Sequence, residues 1–135
     1  MLKGSRFIWY YWSQAKEAKW LDTEHTYVFK GAISAFRFIN KKCTHYRTLV
    51  IAKNDLKWIV EDEVTNARGL TKSQIWHHDD FLWQFITITE KNEVLAGESM
   101  ISYNSDSYGQ KKIGKATLFL FEDKIKTTLL YKEID

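Results

Sequence analysis

A chain of 135 residues has the size of one domain, and 44% hydrophobic with 27% charged residues is the composition of a folded protein rather than a disordered one. No apolar run reaches the roughly 18–20 residues of a transmembrane helix, so no membrane span is expected, and the single cysteine excludes an internal disulfide framework. The net charge of +3 is uneven, because residues 1–60 carry eleven Lys and Arg against four Asp and Glu. Such a basic region could contact an anionic polymer, although an exposed charge run is more often a solvated face.

The N-terminal segment has little pattern of its own. An aromatic stretch at residues 7–12 is short and lacks a small-residue cleavage site, so no signal peptide is expected in this chain. Helix-like spacing of apolar residues after a capping serine, Ser13, predicts one or two helical turns within residues 13–21. We therefore predict a linking segment at 1–21, irregular or helical, followed by a domain at 22–135.

From about residue 26 onward, alternating apolar and polar residues with many β-branched and aromatic side chains predict strands. Glycine, asparagine and aspartate punctuate these segments as turn residues, and the chain has no proline. The predicted strands are 27–30, 33–39, 44–52, 56–62, 73–78, 81–89, 99–103, 116–122 and 125–131. Short strands at this spacing predict an all-β fold, an antiparallel two-sheet β-sandwich.

The predicted hairpin 44–62 carries the most ordered polar pattern. His45 and Arg47 share one face of their strand, since side chains repeat every two residues. A loop at 53–54 would place His45 opposite Asp62, and a loop at 54–55 would place Arg47 there with His45 as the diagonal neighbour. A three-residue loop would instead place Asp62 opposite Tyr46 and break the cluster.

This cluster has two interpretations. A His and an Asp on adjacent strands, joined by a second imidazole from His77 or His78, form a ligand set for zinc or another transition metal. Alternatively, Asp62 forms an ion pair with Arg47 and orients His45, and no metal is bound.

A second candidate surface interleaves aromatic and basic residues at 36–42. Arg37, Lys41 and Lys42 could contact carboxylate, sulfate or phosphate groups, although an ordinary amphipathic strand with Phe36 and Phe38 in the core explains the pattern equally well. Phosphate-binding glycine loops, a serine-hydrolase elbow, a zinc-protease motif and CxxC pairs are all missing from the sequence. The residues alone therefore name no complete catalytic apparatus.

Over residues 22–131 the chain resembles the C-terminal sheet domain of the heparinase II/III-like polysaccharide lyase family. The order and spacing of several short motifs carry the resemblance. They are His25-Thr26-Tyr27, His45-Tyr46-Arg47, Trp58 to Asp62, Trp76-His77-His78, Tyr103 to Gly109, and Thr127-Thr128-Leu129.

The resemblance implies a β-sandwich that follows an α/α-toroid domain in an exported, periplasmic or secreted, carbon–oxygen lyase. Such lyases cleave acidic, uronic-acid-containing glycans by β-elimination, with catalytic Tyr and His supplied largely by the helical part, so the isolated sheet domain is expected to be inactive. The resemblance also implies a structural zinc held by the positions matching His45, Asp62 and either His77 or His78.

Within such an enzyme, this domain would present cations to an acidic polysaccharide, and no nucleic acid partner is expected. The candidate contacts are Arg37, Lys41, Lys42 and Arg47. Two alternatives stay open: a non-catalytic carbohydrate-binding sandwich whose exposed Trp residues stack on sugars, and a protein-interaction domain whose aromatic N-terminal segment pairs with another chain.

Overall fold

The structure is a computed structural model, and it describes residues 2–3, 9–10, 13–78, 83–91, 93–105 and 109–132. These residues form twelve strands, all paired antiparallel. The strands are β1 (Leu2–Lys3), β2 (Trp9–Tyr10), β3 (Gln14–Asp22), β4 (Thr26–Ser34), β5 (Thr44–Ala52), β6 (Lys57–Thr65), β7 (Lys72–His78), β8 (Ile86–Glu90), β9 (Glu93–Val94), β10 (Glu98–Asn104), β11 (Lys112–Phe121) and β12 (Lys124–Tyr131).

Two sheets face each other. The larger has seven strands in the order β3-β4-β5-β6-β12-β8-β9, the smaller has three in the order β10-β11-β7, and β1 pairs with β2 alone. The all-β, antiparallel two-sheet sandwich predicted from the sequence is thereby confirmed. None of the described segments is a helix with the length and apolarity that crossing a bilayer requires.

The core lies where the small sheet covers the middle of the large one. Phe119 of β11 packs among Val60, Ile88, Ile125 and Leu129, which come from β6, β8 and β12. Burial alternates along β6 and β12, as expected for strands with one face toward a core. The small sheet therefore covers β6, β12 and β8, and the β3–β5 end of the large sheet extends beyond this core.

The predicted helical turns at 13–21 are wrong, because these residues form strand β3 at the edge of the large sheet. All nine of its side chains are exposed, so no buried stripe holds a helix in place. Backbone pairing with β4, interrupted by a bulge between Ala15 and Glu17, decides the conformation instead. β3 thus adds to the sheet residues that the sequence assigned to a linking segment, and most of the aromatic stretch 7–12 lies outside the described residues.

The segment around Phe36 also differs from the prediction. β4 runs through Gly31 without a turn and ends at Ser34, so the predicted strands 27–30 and 33–39 are one shorter strand. Phe36 has a φ of 51°, and its carbonyl accepts a hydrogen bond of 2.8 Å from the Ile39 amide, which closes a turn. Phe36 and Phe38 are 40% and 42% exposed rather than in the core. The other predicted strands are present with shifted ends, and residues 81–82 lie outside the described part.

Candidate functional site

The β5–β6 hairpin sets the geometry of the site. Arg47 pairs directly with Asp62, and His45 pairs with Val64, so His45 is the diagonal neighbour of Asp62. This is the register expected of a 54–55 loop, although the connection between the two strands spans residues 53–56. The imidazole, the guanidinium and the carboxylate therefore share the face that looks toward the small sheet.

Asp62 is the centre of a hydrogen-bond network and is 2% exposed. Its Oδ1 accepts bonds from His45 Nε2 at 2.8 Å and Arg47 Nε at 2.7 Å. Its Oδ2 accepts bonds from Arg47 Nη2 at 2.9 Å and Gln74 Nε2 at 2.7 Å. The two oxygens thus accept four N–H bonds, which is about the full capacity of a carboxylate.

These contacts determine the charge states of Asp62 and Arg47. Burial by itself raises the pKa of Asp62, but hydrogen bonds from His45, Arg47 and Gln74, with the charge of Arg47, together lower that pKa well below its ordinary value. The hydrogen bond to Asp62 raises the pKa of Arg47 in turn. Asp62 is therefore ionised at neutral pH, and His45 donates its Nε2–H to it.

Gln74 links the two sheets, a role that no pattern in the sequence indicates. It is buried on β7, and its Oε1 accepts a 2.9 Å bond from the indole N–H of Trp76. The Thr127 hydroxyl lies 2.9 Å from the same Oε1 and 3.2 Å from the Val60 carbonyl oxygen, and donates to one of them at a time. Sequence alternation places Gln74 and Trp76 on one face of a strand, but it does not show which residue of the other sheet they meet.

A cavity of about 510 Å³ opens beside this network. His45, Arg47, Asp62 and Gln74 form its polar part, and the rest of its lining is mostly apolar with one further cation. These other lining residues are Phe36, Ile39, Val64, Ala67, Leu70, Thr71, Lys72, Ser73, Ile75 and Phe121. The cavity therefore combines apolar walls with fixed hydrogen-bond donors, the usual make-up of a small-ligand site.

Arg47 is the residue best placed to contact a ligand there. Its side chain is 50% exposed, and two of the five guanidinium N–H groups bond Asp62. The other three have no partner among the residues that the structure describes. Lys72 adds a second positive charge to the cavity, with its Nζ 3.5 Å from a carboxylate oxygen of the exposed Asp123. Such donors suit a carboxylate or sulfate group.

The other predicted cations lie apart from this cavity. Arg37 belongs to the turn at 37–39, and Lys41 and Lys42 belong to the next turn, where both are exposed. The same loop contributes Phe36 and Ile39 to the cavity wall, but none of the three cations is among the described lining residues. Of the four predicted glycan contacts, the structure places only Arg47 at the cavity.

The predicted zinc ligands are brought together only in part. His45 contacts Asp62, whereas His77 Nδ1 lies 2.5 Å from Ser102 Oγ, and His78 Nε2 lies 3.1 Å from Thr117 Oγ1 with its ring stacked on Trp83. No group of three His, Cys, Asp or Glu side chains among the described residues could hold a metal ion. Since N–H donors also occupy both oxygens of Asp62, this arrangement does not fit a three-ligand zinc centre, and zinc binding stays a prediction.

Comparison of the chain with models of known protein families, with curated proteins and with solved structures gives no match.

Proposed function

We propose that this chain is the sheet domain of a heparinase II/III-like polysaccharide lyase, and that it binds uronic-acid glycans without cleaving them on its own. One observation carries the proposal. Asp62 holds the guanidinium of Arg47 in place, and Arg47 has three further N–H groups beside a cavity of about 510 Å³.

A fixed guanidinium suits a uronate. Arginine matches the two oxygens of a carboxylate with a planar fork of donors, and holding that fork before binding lowers the entropy cost of association. Asp62 cancels one positive charge, but Lys72 supplies another on the cavity wall. The apolar walls at Phe36 and Phe121 suit the C–H faces of a sugar ring, which makes an acidic sugar a better ligand than a small inorganic anion.

The same cavity argues against catalysis by the isolated chain. β-Elimination needs one group to remove a proton and a second to protonate the departing oxygen. His45 is the one imidazole among the described lining residues, and no tyrosine is among them. The family resemblance assigns the catalytic Tyr and His to a helical part. We therefore propose binding without turnover.

The test is calorimetric titration of the protein with oligogalacturonate, alongside the absorbance band of the unsaturated product. We expect saturable binding, about tenfold weaker in Arg47→Met, and no product. Lys30→Met, which removes an exposed cation from the opposite face of β4, is the matched control and should bind normally. Melting curves show that each variant is folded. Failure of the wild type to bind, equal binding by Arg47→Met, or product formation would each refute the proposal.

A carbohydrate-binding sandwich that is not part of a lyase would give the same result in that titration as the sheet domain of a lyase. The upstream reading frame separates the two, because several hundred helical residues ahead of this chain are expected only for the lyase.

A further inference from the structure

Strands β3 to β6 of the large sheet present aromatic rings on the face that carries Arg47. We infer that Trp20, Tyr27 and Trp58, here called the aromatic platform, stack on the sugar rings of an extended acidic glycan whose carboxylate Arg47 binds. This inference rests on the proposed function and adds to it the length of the ligand and a second contact surface.

The strand registers place these residues together. Trp58 pairs with Ile51, and Ile51 pairs with Tyr27. Trp58, Ile51 and Tyr27 therefore form one row across β6, β5 and β4. Trp20 pairs with Phe29 in the adjacent row. Trp20, Tyr27 and Trp58 are 57%, 37% and 50% exposed, although each is large and apolar. Three large aromatic side chains from two neighbouring rows are thus exposed to solvent on one face.

Contacts within the platform hold part of it rigid before any ligand binds. The rings of Trp20 and Tyr27 stack with centroids 5.7 Å apart and planes 24° apart. The Lys53 ammonium lies 4.5 Å from the centroid of the Tyr27 ring and also forms a 2.5 Å ion pair with Asp22. Preordered rings lose little entropy on binding. The Lys53 ammonium orders the Tyr27 ring, and Asp22 balances its charge.

Small residues occupy the row of Arg47 on the two neighbouring strands. Ala18 pairs with Gly31, and Gly31 pairs with Arg47. Gly31 has no side chain, and a Cβ there would lie 2.9 Å from the ring of Phe29. Ile51 and Arg47 are four residues apart on one strand, which is about 13 Å. A ligand that reaches both the aromatic row and Arg47 must therefore be longer than one sugar.

The remaining donors of Arg47 favour a uronic-acid glycan over an apolar protein surface. An apolar protein surface would take water from the three remaining N–H groups of Arg47 and offer no acceptor, which costs free energy. A uronic-acid oligosaccharide supplies a carboxylate for Arg47 and apolar C–H faces for the rings. We therefore assign this face to an acidic glycan of several units.

The experiment compares oligogalacturonates of two and six units by calorimetric titration. We expect the wild type to bind the hexamer about tenfold more tightly than the dimer. Tyr27→Ala and Trp58→Ala should lose most of this gain and change dimer binding little, whereas Arg47→Met should weaken both. Tyr46→Ala is the matched control, since Tyr46 is 43% exposed on the opposite face of β5 and should leave both affinities unchanged.

Trp58→Phe keeps a ring and should retain most of the gain, which separates a loss of stacking from a loss of folding. Normal hexamer binding by both alanine variants, with weak binding by Arg47→Met, would overturn the platform and leave the proposed function standing. Equal loss in Tyr46→Ala would also overturn the platform. A wild type that binds neither oligomer would overturn the proposed function and this inference with it.

Discussion

Arg47 lies directly opposite Asp62 on the neighbouring strand, and two hydrogen bonds of 2.7 and 2.9 Å join its guanidinium to the carboxylate. A slip of one residue in this pairing would turn either side chain to the other face of the sheet. The ion pair therefore depends on the register of the hairpin, and the cavity beside it depends on the same register.

The ionised state of Asp62 predicts a dependence of stability on pH. Its pKa is lowered in the folded protein, so its contribution to the free energy of unfolding is fully present above the unfolded pKa of about 3.9. That contribution is lost as the pH falls below this value toward the folded pKa. We expect wild-type stability to fall steeply between about pH 5 and pH 2, and Asp62→Asn to remove much of this slope.

Urea unfolding at a series of pH values measures this effect. At pH 7, Asp62→Asn should cost about 3 kcal/mol, because it leaves the buried side of Arg47 without its charge partner. Asp123→Asn removes a 75% exposed carboxylate and is the control, for which we expect little change at pH 7. A pH slope that is equal in wild type and Asp62→Asn would contradict the assignment.

Gln74→Leu tests the bridge between the sheets. Leucine has a similar size but leaves the indole N–H of Trp76 without its acceptor and removes one donor from Asp62. We expect a loss of about 1–3 kcal/mol in the free energy of unfolding, measured in urea. Gln14→Leu, at an exposed position of β3, should cost far less, and equal losses in the two variants would show that the bridge contributes nothing.

Zinc binding, which the family resemblance implies, can be tested separately by thermal melting and elemental analysis. Because N–H donors occupy both oxygens of Asp62, a zinc ion would have to displace at least one of them. The metal hypothesis predicts that added Zn²⁺ raises the melting temperature of the wild type and not of His45→Ala. Elemental analysis that finds no zinc after equilibration with Zn²⁺ would refute it, and the hydrogen-bonded network would stand as the whole of the site.

The β5–β6 hairpin could be predicted because the sequence signals that define it are local. Alternation puts His45, Arg47 and Asp62 on one face, and the turn residues near Asn54 restrict the register to a few choices. Strand β3 could not be predicted in this way. Its apolar residues have helix-like spacing, but its conformation is decided by backbone pairing with β4, which the local pattern does not show. The turn at Phe36 was missed because a positive φ at an aromatic residue has no sequence signal of its own.

The role of Gln74 and the cavity could not be predicted from the sequence for a different reason. Alternation along β7 decides which face Gln74 occupies, but its contact with Asp62 depends on how the two sheets align, and no short-range sequence pattern indicates that alignment. The aromatic platform likewise depends on the small sheet covering only part of the large one.

The most direct test of the central claim is the NMR signal of the Arg47 Nε–H group during titration with oligogalacturonate. We predict a signal that the bond to Asp62 protects from exchange, that is lost in Asp62→Asn, and that shifts saturably as the glycan binds. A signal that stays unmoved while the protein binds the glycan would contradict the claim that Arg47, held by Asp62, is the contact.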